Sequence, residues 1–411
     1  MDANGKCFVP DEHVLSGIFP NIPDISEKCP EVICNSIEVC NFRLTFDVEP
    51  RLGLPTDLII RLETAKDKLK AVARMQGLAR RQAPNIVLET LEVGTVDDVQ
   101  GRQLGYSITP FLAGTVCLEE IWNEMEESNQ RALMDSVVDA MRKFHELRIQ
   151  DFDSLYPEDS VISDDSNDSA TPSKELFDSH KKGYHSNELF GSPDKGYHAT
   201  IKPLLESYIG HNARPIGQIV YTADGVAIRS ADNGAVEFTI TDLEELGRNA
   251  VLCHNDIEPR NILVKQSPSS TNASRGGAWY ELAAIIDWGM SGILNFAYEF
   301  GMKGAMLGSA NLLFSWYELF KEKTADLVPR GEAPEKMIAA LGVIGRCNAR
   351  VVPGNVGGRF REKWFARERL ERSPDVRRGW IRQKGAGDVP PFTTADQDDI
   401  ETEVLKELGD M

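Results

Sequence analysis

The sequence predicts an α+β protein built from two unequal parts. Three observations carry this. Strand-like stretches gather between residues 36 and 111, and helical apolar spacing dominates much of the chain after them. Within the helical part, two apolar strands each run into a carboxylate. At 411 residues the chain admits two or three domains, and a smaller N-terminal part followed by a larger C-terminal one fits. An apolar share of 41% and a charged share of 27% are ordinary for a soluble globular protein. The net charge of −19 argues against nucleic-acid backbones and anionic membrane surfaces as partners. It suits a cationic small-molecule substrate, or simply a solvated acidic surface. The start shows no basic stretch leading into an apolar core, and no run of about 18 apolar residues follows, so neither a secretory leader nor a membrane span is expected. Seven scattered cysteines without a C-x-x-C pair read as the reduced thiols of a cytoplasmic protein.

Taken in order, residues 1–36 hold Pro10, Pro20, Pro23 and Pro30 and no clear period, which predicts an irregular or short-helical extension. Residues 36–48 and 57–62 are strand-like, joined by the turn-rich 49–55. Thr64 is a fitting N-cap for a helix over 64–82, with Leu69, Val72, Ala73, Met75 and Leu78 on one side and a solvated basic face on the other. Residues 84–88 and 106–111 read as further strands. Helices follow over 118–127 and 130–147, the second with Leu133, Val137, Val138, Met141, Phe144 and Leu147 aligned for a core.

The composition then changes. Residues 149–173 hold seven acidic residues and no basic ones, so a flexible insertion is expected at 150–200. A short helix at 201–209, a hairpin-rich stretch at 217–240 and a short helix at 242–247 come next. Helices are expected at 310–320 and 333–349, the first with Trp316 and Tyr317 packing in the core or, alternatively, forming a substrate wall. Residues 354–382 are basic and carry Trp364 and Trp380, a segment expected to dock on the acidic remainder.

Residues 251–264 are the most informative stretch. An apolar strand leads into His254, Asp256 and Asn261, and Ile262, Leu263 and Val264 leave it as a second strand. Residues 282–286 repeat the pattern and end in Asp287, Trp288 and Gly289. The spacing is H-x-D-x-x-x-x-N followed by D-x-G. Phosphoryl transfer needs such residue types: an ionised acceptor beside the nucleophile, and hard oxygen ligands that hold magnesium against phosphates. Asp256 is the candidate base, and Asn261 and Asp287 are the candidate metal ligands. His254 is expected to support the loop, and Cys253 to pack in its strand. The bland alternative is two buried hairpins whose polar residues cap turns. One such motif arises by chance; two in this order, each with apolar flanks, outweigh it.

His254, Asn255 and Asp256 through Asn261 to Val264, together with Ile286, Asp287 and Trp288, resemble the aminoglycoside phosphotransferase and choline kinase-like family. The resemblance implies a two-lobed protein kinase-like fold. It has a small antiparallel-sheet N-lobe at 37–107, a hinge at 108–113 and a larger, mainly helical C-lobe at 114–411. It implies use of ATP and magnesium to phosphorylate a hydroxyl or amine of a small molecule. It puts Arg61 where the family's strand cation, commonly Lys, contacts the nucleotide phosphates. It puts Ile108 and Phe111 at the hinge, whose backbone holds the purine.

The chain departs from the pattern in three places. No Gly-rich phosphate loop precedes the strand, and no Glu in the middle of the 64–82 helix is there to pair with Arg61. Glu258 stands two residues after Asp256, where an anion repels the phosphoryl group unless Arg260 or a metal pairs with it. Glu258 either points outward or binds a cationic substrate. These departures keep two alternatives open: a binding or regulatory protein on a kinase-like scaffold, and a different transfer reaction on that scaffold. Fold analogy does not name the substrate.

Overall fold

The computed structural model describes residues 10–22, 24–36, 39–64, 68–148, 217–222, 224–230, 234–267, 278–309, 311–350 and 356–409. The insertion expected at 150–200 and the helix expected at 201–209 lie outside them.

The small lobe is a five-stranded antiparallel sheet: β1 (Glu31–Asn35), β2 (Val39–Thr45), β3 (Asp57–Glu63), β4 (Glu92–Asp97) and β5 (Gln103–Pro110), in the order β1-β2-β3-β5-β4. Period-two alternation sorts its side chains. Phe42, Leu44, Leu58, Ile60 and Leu62 bury one face, and α1 (Glu12–Ile18) lays Val14, Leu15 and Ile18 across it. Part of the stretch expected to be an extension thus contributes a covering helix and an edge strand. The sheet needs a cover, and one short apolar stripe among prolines is enough to provide it. The opposite face carries Asn41, Arg43, Ile59 and Arg61, with Asn41 opposite Arg61 and Arg43 opposite Ile59.

The helix expected after β3 is present as α2 (Lys68–Gln82), and its Met75, Leu78 and Ala79 join the core of the large lobe. The strand expected at 84–88 does not form. Pro84 and Asn85 begin a turn in which the N–H groups of Ile86 and Val87 both donate to Ala83 O, and only Val87 makes a bridge, to Ile285.

The large lobe begins with β6 (Thr115–Cys117), α3 (Leu118–Ile121) and α4 (Glu127–Phe144). The hairpin-rich stretch is a meander of β7 (Gly217–Thr222), β8 (Gly225–Ser230) and β9 (Gly234–Thr239), followed by α5 (Ile240–Arg248). Next come β10 (Ala250–Cys253), β11 (Ile262–Gln266), β12 (Tyr280–Ile285) and β13 (Gly292–Asn295). β12, β11 and β6 form one small sheet, and β10 pairs with β13. Helices α6 (Phe296–Met306), α7 (Phe314–Thr324) and α8 (Glu332–Arg350) complete the core, where Phe144 packs edge-on against Trp288 and Trp122 against Trp316.

The C-terminal segment holds α9 (Val356–Arg367), β14 (Leu370–Arg372), β15 (Trp380–Arg382) and α10 (Thr394–Leu408). It packs on the large lobe through an apolar cluster around Phe314, Tyr317 and Trp364, and Arg359, Lys363, Arg367 and Arg382 pair with carboxylates of the segment itself. Arg361 is buried there and donates to the carbonyls of Leu307 at 2.6 Å and Ala305 at 2.8 Å. These are the open carbonyls at the end of α6, where a cation is favoured. Among the described residues no helix is long and apolar enough to cross a membrane.

Candidate active site

Arg61 leaves β3 on the face away from the small-lobe core. Its Nε donates to Glu63 Oε1 at 2.7 Å and its Nη1 to Asp287 Oδ1 at 2.9 Å. Glu63 therefore stands in for the missing helix glutamate. It lies two residues along the same strand, where alternation puts both side chains on one face, so the period of β3 was a signal that could have found it. Asp287 opens a one-turn 3-10 helix, Trp288–Met290, with its backbone in the left-handed region at φ 58°. A Cβ on Gly289 would lie 3.1 Å from Asp287 Oδ1, so the glycine of D-x-G leaves room for the carboxylate. Burial pulls the Asp287 carboxyl upward, but the Arg61 guanidinium, His254 and the Gly289 N–H together hold the group below its ordinary value. Its side chain keeps 40% of its exposure.

His254 ties the two loops together. Its ring is buried, with Nε2 3.0 Å from Ile286 O and Nδ1 accepting the Asp256 N–H at 3.3 Å. One imidazole thus holds both the residue before Asp287 and Asp256 itself. Burial lowers its pKa to about 4, against the pull of the nearby Asp256 and Asp287, so it stays neutral with its proton on Nε2. Asn255 turns the chain at φ 64° and donates from Nδ2 to Met290 O at 2.9 Å. Asn261 donates from Nδ2 to Asp256 Oδ2 at 2.8 Å and to Asp256 O at 2.9 Å, while its own backbone oxygen accepts the Ile286 N–H at 2.9 Å. Its amide nitrogen is used internally, so of the two side-chain polar atoms only the oxygen could hold a metal ion. Arg260 Nη2 sits 2.8 Å and 2.9 Å from the two Asp256 oxygens. Cys253 is buried and contacts Leu294 O at 3.5 Å, and burial pushes its thiol well up, away from reactivity.

Glu258 overturns both readings offered for it. It neither points outward nor faces a substrate: it is 3% exposed. Oε1 accepts from Lys303 Nζ at 2.9 Å and Oε2 from Asn311 Nδ2 at 2.9 Å, and Lys303 also donates to Ile257 O at 2.6 Å. The physical reason lies on α6, which carries Lys303 beneath the catalytic loop and neutralises the anion there. Glu299, one turn before Lys303, is buried near the backbone N–H groups of Asn255 and His254, and its Oε1 has no hydrogen-bond partner among the described residues. Burial drives its carboxyl up to about 7, opposed by Lys303 and by those N–H groups.

That shift has a measurable sign. A carboxyl raised from its ordinary 4.5 to about 7 costs nothing below the lower value and its full ionisation penalty above the upper one. Relative to Glu299→Gln, the native protein is expected to lose up to about 3 kcal/mol between pH 4.5 and 7. Urea unfolding of both proteins at pH 5 and pH 8 checks this, and a gap independent of pH would show that the carboxyl does not titrate in that window.

The structure thus brings Arg61, Asp256, Asn261 and Asp287 together. Phe111 lies apart from them under the Arg43 guanidinium, 3.8 Å from ring centre to Cζ. Ile108 is fully buried in the small-lobe core, on the face opposite Arg61, and its carbonyl accepts the Leu91 N–H at 2.8 Å. Lys303, Asn311 and Glu299 had no signal in the spacing. They follow the motif by tens of residues and reach it only through packing.

Comparison with known proteins adds the following. No curated protein matches the chain. Among solved structures, the chain is similar to an aminoglycoside 2″-phosphotransferase in complex with GDP and kanamycin, at 12% identity over 97% of each chain and a TM-score of 0.45. It is similar to an aminoglycoside 2′-phosphotransferase variant in complex with GDP, at 12% identity over 97% of this chain and 96% of that one, with a TM-score of 0.42. A third, an ADP-bound aminoglycoside phosphotransferase, shares 12% identity over 92% of each chain at a TM-score of 0.34. The model of the phosphotransferase enzyme family matches residues 51–333, which span β3, both carboxylate loops and the helices beneath them, and the chain belongs to that family.

Proposed function

We propose that this protein is a cytoplasmic small-molecule kinase that moves the terminal phosphoryl group of ATP to a hydroxyl or amine. The nucleotide would lie between the lobe at 37–107 and the lobe at 114–411, across the hinge at 108–113. The convergence of Asp256, Asn261, Asp287 and Arg61 carries the reading. Asp256 would accept the acceptor's proton, and Arg260 Nη2 lies 2.8 Å from its Oδ1. Asn261 and Asp287 would hold magnesium, and two oxygen ligands suit an ion that completes its shell with phosphate and water. When bound, magnesium screens the phosphate charge and aligns the terminal phosphoryl group. Arg61 offers a planar fork to phosphate oxygens. The strongly acidic chain favours a cationic acceptor.

One observation favours a second reading, a binding protein without transfer: Arg61 already occupies Asp287 Oδ1, an oxygen that a metal would need. Thermal unfolding with ATP, with and without magnesium, separates the two. Saturation at about a hundredfold over Kd adds roughly 2.7 kcal/mol. The kinase reading expects that gain only with magnesium, its loss in Asp287→Asn, and ADP as product in an acceptor screen. Equal, metal-independent stabilisation of both proteins without ADP formation would favour the binding protein.

A further inference from the structure

Among the described residues two lysines are buried, Lys303 and Lys321, and the fold treats them differently. Lys303 meets the Glu258 carboxylate at 2.9 Å. Lys321, on α7, is 7% exposed and pairs with no carboxylate among the described residues. Its Nζ donates to Phe300 O at 3.2 Å and lies 3.1 Å from the centre of the Phe300 ring. An ammonium has three N–H groups, so a carbonyl and a ring face do not exhaust it. Burial above all, then Arg372, hold the amine well below its ordinary value; Asp375 opposes this and Arg377 adds to it. A buried ammonium without an anion is costly unless it sheds its proton or an anion reaches it from solution.

A way in exists. Lys321 lines a cavity of about 880 Å³ between α4, α7 and the turn from β14 to β15, within the size range of small-molecule sites. Met125, Leu319 and Trp380 give it apolar walls. Trp380 is fixed in place, with Nε1 donating to Gly304 O at 2.9 Å and its backbone N–H to Tyr317 Oη at 2.9 Å. The acids of the lining stand at the rim. Glu318 and Asp375 are exposed, and Glu322 accepts from Arg131 at 3.0 Å. Arg377 is already committed, Nε to Glu335 Oε1 at 3.1 Å and Nη2 to Pro329 O at 3.0 Å. The cavity therefore offers a ligand one buried amine and an apolar wall. None of Arg61, Asp256, Asn261 and Asp287 lines it.

We propose that this cavity is a ligand site separate from the catalytic group, and that it takes a small organic monocarboxylate. The carboxylate pairs with Lys321, and the apolar body lies along Met125, Leu319 and Trp380. One amine balances one negative charge; a phosphate dianion would leave a second charge facing Glu318, Glu322 and Asp375. The pair is a charge-assisted hydrogen bond in a site shielded from water, where such bonds are strong. Through Phe300 the occupant would adjoin α6, the helix that carries Lys303 beneath the catalytic loop.

The test measures binding of hexanoate, phenylacetate and indole-3-acetate to the full chain at up to about 10 mM, by saturation-transfer NMR and calorimetry. The uncharged amide and the phosphate monoester matching the best binder serve as controls. Lys321→Met keeps the stem and removes the charge, while Glu318→Trp changes an exposed position and fills the mouth of the cavity. The best carboxylate should bind about tenfold or more tighter than its amide. Lys321→Met should lose about tenfold for the carboxylate, leave the amide unchanged, and unfold at no lower temperature. Glu318→Trp should lose both ligands. No binding of any of the three acids, equal affinity for acid and amide, or unchanged carboxylate affinity in either variant would overturn the site. A phosphate monoester that binds tighter than the carboxylate would overturn the ligand class. Displacement of the carboxylate by magnesium ATP would put it in the nucleotide cleft and overturn the separate site, while leaving the kinase reading standing.

Discussion

Asp256→Asn is expected to lower kcat about a thousandfold while leaving magnesium ATP affinity within about twofold. The amide is nearly the same size as the carboxylate and can still accept the Asn261 Nδ2 bond, so the loop has no reason to move. What it loses is the negative charge that receives the acceptor's proton and that Arg260 now faces from 2.8 Å. The binding groups assigned to the donor, Arg61, Asn261 and Asp287, remain. ADP release with the best acceptor from a screen of amines, sugars and aminoglycosides gives kcat, and calorimetry gives the nucleotide affinity. Turnover at the native rate in Asp256→Asn or Asp256→Ala would remove Asp256 from the chemistry.

Lys303→Met is expected to be the most damaging single change to stability, about 3–5 kcal/mol. Both members of the pair with Glu258 are buried, and deleting the cation leaves a carboxylate in the core with only Asn311 to answer it. The bond from Lys303 to Ile257 O is lost as well, and with it a direct tie on the residue after Asp256. Replacing both partners by apolar residues, Glu258→Leu with Lys303→Met, should recover most of the loss, because no unpaired charge then remains. Urea unfolding of the two single variants and the double variant measures the coupling. A cost below about 1 kcal/mol for Lys303→Met would show that the pair does not anchor the loop.

Much of the architecture was legible because it depends on local spacing. The alternation of β2 and β3 and the apolar stripes of α4 and α8 repeat within a few residues. Buried and exposed positions therefore follow directly from their order. The strand expected at 84–88 failed for a local reason as well: Pro84 and Asn85 favour a turn more strongly than three apolar residues favour a strand. β4 was not read, since Glu92, Gly94, Thr95 and Asp97 hide its alternation. α1 was read only as a short-helical chance within an extension, since seven residues cannot show which surface they cover.

The sequence by itself singled out Asp256, Asn261 and Asp287 through a motif spacing at the ends of apolar strands, and Arg61 through the resemblance to the phosphotransferase family. Only the tertiary structure decided how these charges are balanced. Arg61 meets Asp287 across 226 residues, and Glu258 meets Lys303 across 45 and Asn311 across 53. A charge in the interior must find its partner in space, and packing of α6 beneath the catalytic loop brings that partner from a helix whose own sequence gives no sign of it. The same holds for Arg43, which in sequence is one more solvent-facing strand residue. The fold sets it over the Phe111 ring.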